Sequence, residues 1–174
     1  MKLNEAIELI TDTRISSSGP SVWADLGCGT GLFTNALAGL LSPGSTIYAI
    51  DKDVSGLKKN SQKKDVTIEI MTADFVNDDL HLLDLDGIMM ANSLHFVRDK
   101  VSLLSKLRQY LKPHFNFLIV EYDLDTPNPW VPFPVSYRAL KQLVEKLNGG
   151  PPYKIHERPS LYNRANIYSA LISF

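Results

Sequence analysis

Val22-Trp23-Ala24-Asp25-Leu26-Gly27-Cys28-Gly29-Thr30-Gly31 is the stretch on which the fold turns. Val22 to Leu26 is short and mostly apolar, the pattern of a strand covered on both faces. Three alternating glycines follow, and a helical stretch from Leu32 to Leu41 runs on until Ser42-Pro43-Gly44 stops it. Strand, turn and helix in this order set bare backbone at a place a ligand can approach closely. Glycines also serve tight turns with nothing bound, so the turn alone divides about evenly between a ligand site and a connector.

The next strand sharpens the reading. Thr46 to Ile50 ends at Asp51, about twenty residues beyond the turn, where a carboxylate can accept both hydroxyls of a ribose. That spacing suits any adenosine-containing cofactor and leaves nicotinamide dinucleotides and S-adenosylmethionine both open. A dinucleotide turn, however, asks for a third glycine where this chain has Leu32. S-adenosylmethionine has no phosphate but carries an ammonium group, for which Asp25 is a suitable neighbour.

Working outward, strand-like and helix-like segments alternate, the pattern of an α/β protein with a parallel sheet between two helical layers. Asn4 is expected to cap a short helix in which Ala6, Ile7 and Ile10 share a face, before Ser16-Ser17-Ser18-Gly19-Pro20 breaks the chain. A basic helix is expected over Val54 to Lys64, then a strand from Thr67 to Met71. Between Asp74 and Asp86 the pattern allows at most a short helix, and Gly87 to Ala91 is a buried strand. Asp99 caps a helix carrying Val101, Leu104, Leu107 and Leu111, which Lys112-Pro113 ends. Phe115 to Val120 is the fifth strand. Ser136 caps a helix with Leu140, Leu143, Val144 and Leu147, closed by Asn148-Gly149-Gly150, and two strands fit at Tyr153–Glu157 and Ile167–Phe174. The expected unit is one domain over 1–174, with a helix and linker in 1–20 and a Pro-rich loop in 123–136.

Composition narrows the partners. The 174 residues are 44% hydrophobic, enough for a sizeable core, and the net charge is −1 from 18 basic and 19 acidic residues. No global field draws such a chain to nucleic acid or anionic membrane, so a small-molecule substrate is expected, with the protein a monomer or homodimer. Cys28 is the single cysteine, the N-terminal MKLNEAIELITDTR carries charge throughout, and no apolar run is long enough to span a membrane. A cytoplasmic location is expected, and no metal site.

V-W-A-D-L-G-C-G-T-G resembles the first motif of the class I S-adenosylmethionine-dependent methyltransferases, and Asp51 falls where their ribose-binding acid belongs. Thr72-Ala73-Asp74-Phe75 is similar to the segment whose acid meets the adenine amino group and whose next residue packs on the ring. Asp86 to Val97 resembles the fourth-strand motif, whose end faces cofactor and substrate, and Leu111-Lys112-Pro113 resembles the segment before the fifth strand. The resemblance covers roughly residues 20 to 125. It implies a Rossmann-like sheet of order 3-2-1-4-5-7-6 with the last strand antiparallel and helices on both faces. It implies S-adenosyl-L-methionine as cofactor, held by Asp25, Gly27, Cys28, Gly29, Gly31, Asp51, Lys52, Ala73, Asp74, Phe75, Asn92 and Ser93.

Methyl transfer from a sulfonium is a direct displacement, and alignment supplies most of the help, on the order of 7–11 kcal/mol in the best intramolecular cases. A base is needed only when the acceptor must lose a proton; His95, just beyond Asn92-Ser93, is the candidate, against the alternative of a locally bonded histidine that shapes the pocket. Tyr122 and Asp123 after the fifth strand, with Trp130 and Phe133 on the Pro-rich loop, are candidates for the acceptor wall, against a structural connector or dimer contact. Cys28 has no paired base nearby in sequence and is not expected to be a nucleophile. The chain lacks the Asn/Asp-Pro-Pro-Tyr/Phe motif of relatives that methylate exocyclic or amide nitrogens. The expected acceptor is a small-molecule oxygen, carbon or amine. The rival readings are a nicotinamide-dependent oxidoreductase and a non-catalytic S-adenosylmethionine-binding partner protein.

Overall fold

The computed structural model describes residues 1–16, 19–57, 65–160 and 165–173, and for residues 114 and 115 the backbone alone. Its strands are β1 (Val22–Leu26), β2 (Thr46–Asp51), β3 (Thr67–Thr72), β4 (Leu85–Ala91), β5 (Leu111–Tyr122), β6 (Tyr153–Pro159) and β7 (Asn166–Ser173). They form one sheet in the order β3-β2-β1-β4-β5-β7-β6. The first five are mutually parallel, and β7 runs antiparallel to both β5 and β6. This is the expected order with its reversed last strand. From β1 the chain steps outward to β3 and then returns to pair β4 against β1, so the connections diverge at the carboxyl ends of β1 and β4. An open sheet forms its ligand crevice at such a switch.

Among the described residues four α-helices cover the two faces: α1 (Leu3–Ile10), α2 (Leu32–Leu40), α3 (Lys100–Leu107) and α4 (Tyr137–Lys146). Alternation along β5 divides the core, with Phe117 and Ile119 joining Leu104, Leu107, Leu140 and Val144 on one side. Leu118 and Val120 join Leu9, Ile10, Leu37 and Trp23 on the other. The carboxylate of Asp99 accepts from the Ser102 N–H at 3.0 Å and the Ser136 hydroxyl from the Ala139 N–H at 3.1 Å, so both expected caps are in place.

Some boundaries differ from the sequence reading. The first helix begins at Leu3, not after Asn4, because the Glu5 carboxylate already takes the Lys2 N–H at 2.7 Å. The α3 helix ends at Leu107 with a tight turn over Arg108–Tyr110, and Leu111 opens β5, where it pairs with Leu85. Its apolar side chain had satisfied the helical spacing equally well. No helix forms between Asp74 and Asp86; Asp78 accepts from the Asp74 N–H at 2.8 Å and Asp74 from the Val76 N–H at 3.0 Å, so side chains replace a helical ladder. Residues 54–57 form a turn, and the remainder of the helix expected to Lys64 lies outside the described residues, as does Phe174. Among the described residues no helix is long and apolar enough to cross a membrane.

Candidate active site

The glycine turn is fastened to its neighbours by backbone and hydroxyl bonds. The N–H groups of Gly27 and Cys28 both donate to the carbonyl of Ile50, at 2.8 and 3.1 Å, tying the end of β1 to the end of β2. The Ser93 hydroxyl donates to the carbonyl of Leu26 at 2.6 Å and ties it to the segment after β4. Gly27, at φ +78°, has no room for a side chain: a Cβ there would stand 2.5 Å from Ser93 Cβ. Gly29, at φ +50°, faces the opposite condition, with nothing within 4 Å of its missing Cβ. Its N–H donates to Asp51 at 2.9 Å.

A cavity of about 630 Å³ opens there, within the range of small-molecule and cofactor sites. Of the residues expected to hold a cofactor, Asp25, Gly27, Cys28, Gly29, Asp51, Lys52, Phe75, Asn92 and Ser93 line it. Residues named from sequence had not included Thr30, Leu32, Phe33, Val76, Ala91, Phe96 and Val97, which complete the wall. Most adjoin a residue already singled out. Phe96 is 60% exposed and Val76 39%, so the mouth is apolar and open.

Two acceptors in this wall have no donor among the described residues. Asp25 is 1% exposed; one carboxylate oxygen accepts from the Thr34 hydroxyl at 2.6 Å and the other, Oδ1, is buried without a partner. Burial pushes the Asp25 carboxyl up to about 7, the Thr34 bond opposes this, and the nearby Asp51 charge adds to it. Asn92, held at φ +54°, has its Oδ1 buried and unpartnered as well. Acceptors of this kind call for a ligand with donors, and an ammonium group supplies them. Asp51 accepts from Gly29 and Asp53 N–H groups and, as a carboxylate, retains lone pairs for hydroxyls. Burial raises the Cys28 thiol to about 12, assisted by Asp25 and Asp51, which removes it as a nucleophile near neutral pH.

Other expected site residues stand behind or beside the wall. Gly31 caps α2, and Ala73 donates its N–H to the carbonyl of Asp51 at 3.0 Å. Asp74 faces Lys52, at 2.9 Å, rather than the cavity. His95 is buried, with its Nδ1 2.6 Å from Glu121 Oε2 and its ring centroid 4.3 Å from that of Phe96. Glu121 was missed in the sequence; a lone acid ending the apolar run of β5 was the available signal. The Phe133 N–H donates to the carbonyl of His95, while Arg98 lies 5.1 Å from the Phe133 ring centroid. Trp130 is 72% exposed, and Tyr122 packs on the face that carries α1 and α2. Asp123 accepts from the Tyr137 N–H at 2.8 Å, holding the start of α4.

The sheet order, the reversed last strand and the acid-flanked glycine turn together define a Rossmann-like cofactor-binding domain. The methyltransferase domain family matches residues 24–114, more than half of the chain, and the chain belongs to that family. Among solved structures it is similar to a 1,6-didemethyltoxoflavin N1-methyltransferase of Burkholderia thailandensis, with bound 1,6-didemethyltoxoflavin and S-adenosylhomocysteine. Identity is 15%, the TM-score 0.72, and the match covers 98% of this chain and 77% of that one. It is also similar to a SAM-dependent methyltransferase of Aquifex aeolicus, at 18% identity and TM-score 0.65 over 99% of each chain. A third is the N-methyltransferase NodS of Bradyrhizobium japonicum WM9 with S-adenosyl-l-homocysteine, at 17% identity and TM-score 0.70 over 98% and 85%. At these identities the likeness is one of fold. No curated protein matches the sequence.

Proposed function

We propose that this protein catalyses S-adenosylmethionine-dependent methyl transfer to a small-molecule acceptor. The observation that carries the reading is the pair of donor-less buried acceptors, Asp25 Oδ1 and Asn92 Oδ1, in the same cavity as the Asp51 carboxylate. A pyrophosphate beside Asp25 and Asp51 would meet like charge, whereas an ammonium beside Asp25 and ribose hydroxyls beside Asp51 meet complementary groups. When bound, the cofactor supplies a methyl group already activated on a sulfonium. Asp25 and Asn92 hold the amino-acid end, Asp51 the ribose, and Phe75 and Val76 flank the adenine.

The open apolar mouth at Phe96 and Val97 receives the acceptor, with Trp130 and Phe133 of the Pro-rich loop on its outer side. The Burkholderia thailandensis methyltransferase of similar fold holds the small molecule 1,6-didemethyltoxoflavin beside S-adenosylhomocysteine, and the net charge of −1 suits a small-molecule substrate here. His95 is the proton acceptor when the methyl acceptor must lose a proton. Glu121 Oε2 engages His95 Nδ1 at 2.6 Å, which fixes the ring and leaves Nε2 as the nitrogen free of that carboxylate.

Calorimetric titration with S-adenosylhomocysteine, and with reduced nicotinamide dinucleotide as the comparison, tests the cofactor. Saturable heat with the first alone is expected; equal or tighter dinucleotide binding would overturn the reading. Turnover against a panel of small oxygen, carbon and amine acceptors tests the transfer, and His95→Gln should lower turnover of acceptors that must lose a proton while S-adenosylhomocysteine still binds.

A further inference from the structure

A second cavity, of about 310 Å³, lies at the opposite edge of the sheet, where β1 and β4 begin. Ser21, Trp23, Arg14, Asp86 and Asn116 are among its walls. Five residues of β1, at about 3.3 Å each, separate it from the glycine turn. The shape of this cavity comes from Trp23 and Gly87. A Cβ on Gly87 would stand 2.4–2.6 Å from three atoms of the six-membered ring of Trp23, so only glycine lets the indole lie across β4. Gly87 pairs in register with Asn116 of β5, and the indole therefore reaches from β1 across β4.

The polar groups of this wall are unbalanced. The Asp86 carboxylate is occupied by the Val22 N–H and by Lys112, both at 2.8 Å. The Arg14 guanidinium is held by Asp12 and lies 3.6 Å from the Tyr153 ring centroid. Asn116 Oδ1 accepts from the Ser173 hydroxyl, which leaves its NH₂ as the donor. Ser21 Oγ and Trp23 Nε1, by contrast, are buried without a hydrogen-bond partner among the described residues, and the two residues are 5% and 2% exposed. An indole N–H can only donate, so its missing partner is an acceptor. The cavity is roughly ten times the ~30 Å³ that one water occupies in the liquid, room for a molecule of several heavy atoms.

We propose that this cavity is a second binding site, for a small carboxylate whose oxygens accept from Trp23 Nε1–H and Ser21 Oγ–H. Ser21 and Trp23 are alternate residues of an extended segment and project to the same side, as two donors to one carboxylate require. Arg14 and Asp86, which also line the cavity, are already paired with Asp12 and Lys112.

The chain has two tryptophans, so Trp130→Phe leaves Trp23 as the sole indole reporter. In that background, propionate at matched ionic strength should shift the Trp23 emission saturably, with binding heat in calorimetry, while chloride does neither. Ser21→Ala removes one donor yet keeps the backbone bonds of residue 21 to Ser45 and Thr46, so the fold is retained. It should weaken propionate about tenfold and leave S-adenosylhomocysteine affinity unchanged. An absent heat, an identical response to chloride, tighter binding of inorganic phosphate than of propionate, or an unchanged propionate affinity in Ser21→Ala would each overturn the proposal.

Discussion

Glu121 accepts both the backbone N–H of His95, at 3.1 Å, and its ring Nδ1, at 2.6 Å, so a single carboxylate of β5 fixes the turn that follows β4. Both side chains are buried, at 4% and 0% exposure. Removing the carboxylate strands a buried backbone donor and an imidazole together. Glu121→Ala is therefore expected to lower unfolding stability by about 3–5 kcal/mol. Glu121→Gln, which still accepts through its amide oxygen, should cost less than half as much. Urea denaturation of the three proteins checks the order, and equal losses for Ala and Gln would show that the bonds to His95 are not what Glu121 contributes.

Asp25 makes stability and cofactor binding depend on pH. Its carboxyl, raised by burial to about 7 from an ordinary 3.8, binds a proton in the folded state that the unfolded chain releases. The folded state thus holds more protons between those values, so its stability is fullest below about pH 4 as far as this group is concerned and falls as pH rises through 7. The ligand-free protein should lose thermal stability progressively from about pH 4 to about pH 7 and level off above, and Asp25→Asn should flatten this slope. A ligand that sets an ammonium group beside Asp25 reverses the preference, because it stabilises the carboxylate. Binding of S-adenosylhomocysteine near neutral pH should then release a proton, seen as a dependence of the observed heat on the ionisation enthalpy of the buffer.

The sheet was legible because its signals are local and repeated. The runs at Val22, Thr46, Thr67, Gly87 and Phe115 each carry a strand pattern, and Asp99 and Ser136 announce their helices by hydrogen bonds a few residues long. Leu111 was misread because an apolar side chain at helical spacing is equally at home opening a buried strand, and pairing with Leu85 is a long-range fact. The nine expected residues that line the cavity all lie at or just beyond the carboxyl ends of strands. Asp74 and His95 sit at the expected positions, do not line the cavity, and meet Lys52 and Glu121, partners the sequence reading did not name for them. Which way a side chain turns depends on partners remote in sequence.

Two glycines two residues apart should respond oppositely to the same change. An alanine Cβ at position 27 would press within 2.5 Å of Ser93 Cβ, against the hydroxyl that joins β1 to the segment after β4. Gly27→Ala is expected to destabilise the protein by roughly 2 kcal/mol or more from this overlap and its positive φ. Gly29→Ala meets open space, so only its φ of +50° costs stability, about 1 kcal/mol. Its methyl group instead projects into the cavity, and S-adenosylhomocysteine affinity should fall at least about tenfold. Thermal melts paired with calorimetry separate the two effects, and a Gly29→Ala protein that binds normally would remove the ligand from this turn.

Asp74 offers a test of support against direct contact. Burial raises its carboxyl, but Lys52, Asn77 and the Val76 N–H outweigh that and bring it down to about 2. Its ion pair with Lys52 is two-thirds exposed on the lysine side and is worth under about 1 kcal/mol. Its greater effect is on Phe75 and Val76, which line the cavity while Asp74 does not. Asp74→Ala releases the Val76 N–H, whereas Asp74→Asn keeps an oxygen to accept it while losing the charge and the second oxygen that meets Asn77 and Lys52. If Asp74 acts by holding that wall, Ala should weaken S-adenosylhomocysteine binding about tenfold and Asn by less than about threefold. If its charge meets the adenine amino group itself, Asn should weaken binding as much as Ala. Affinities of the two variants, measured at low and high salt to screen the Lys52 pair, decide between these roles.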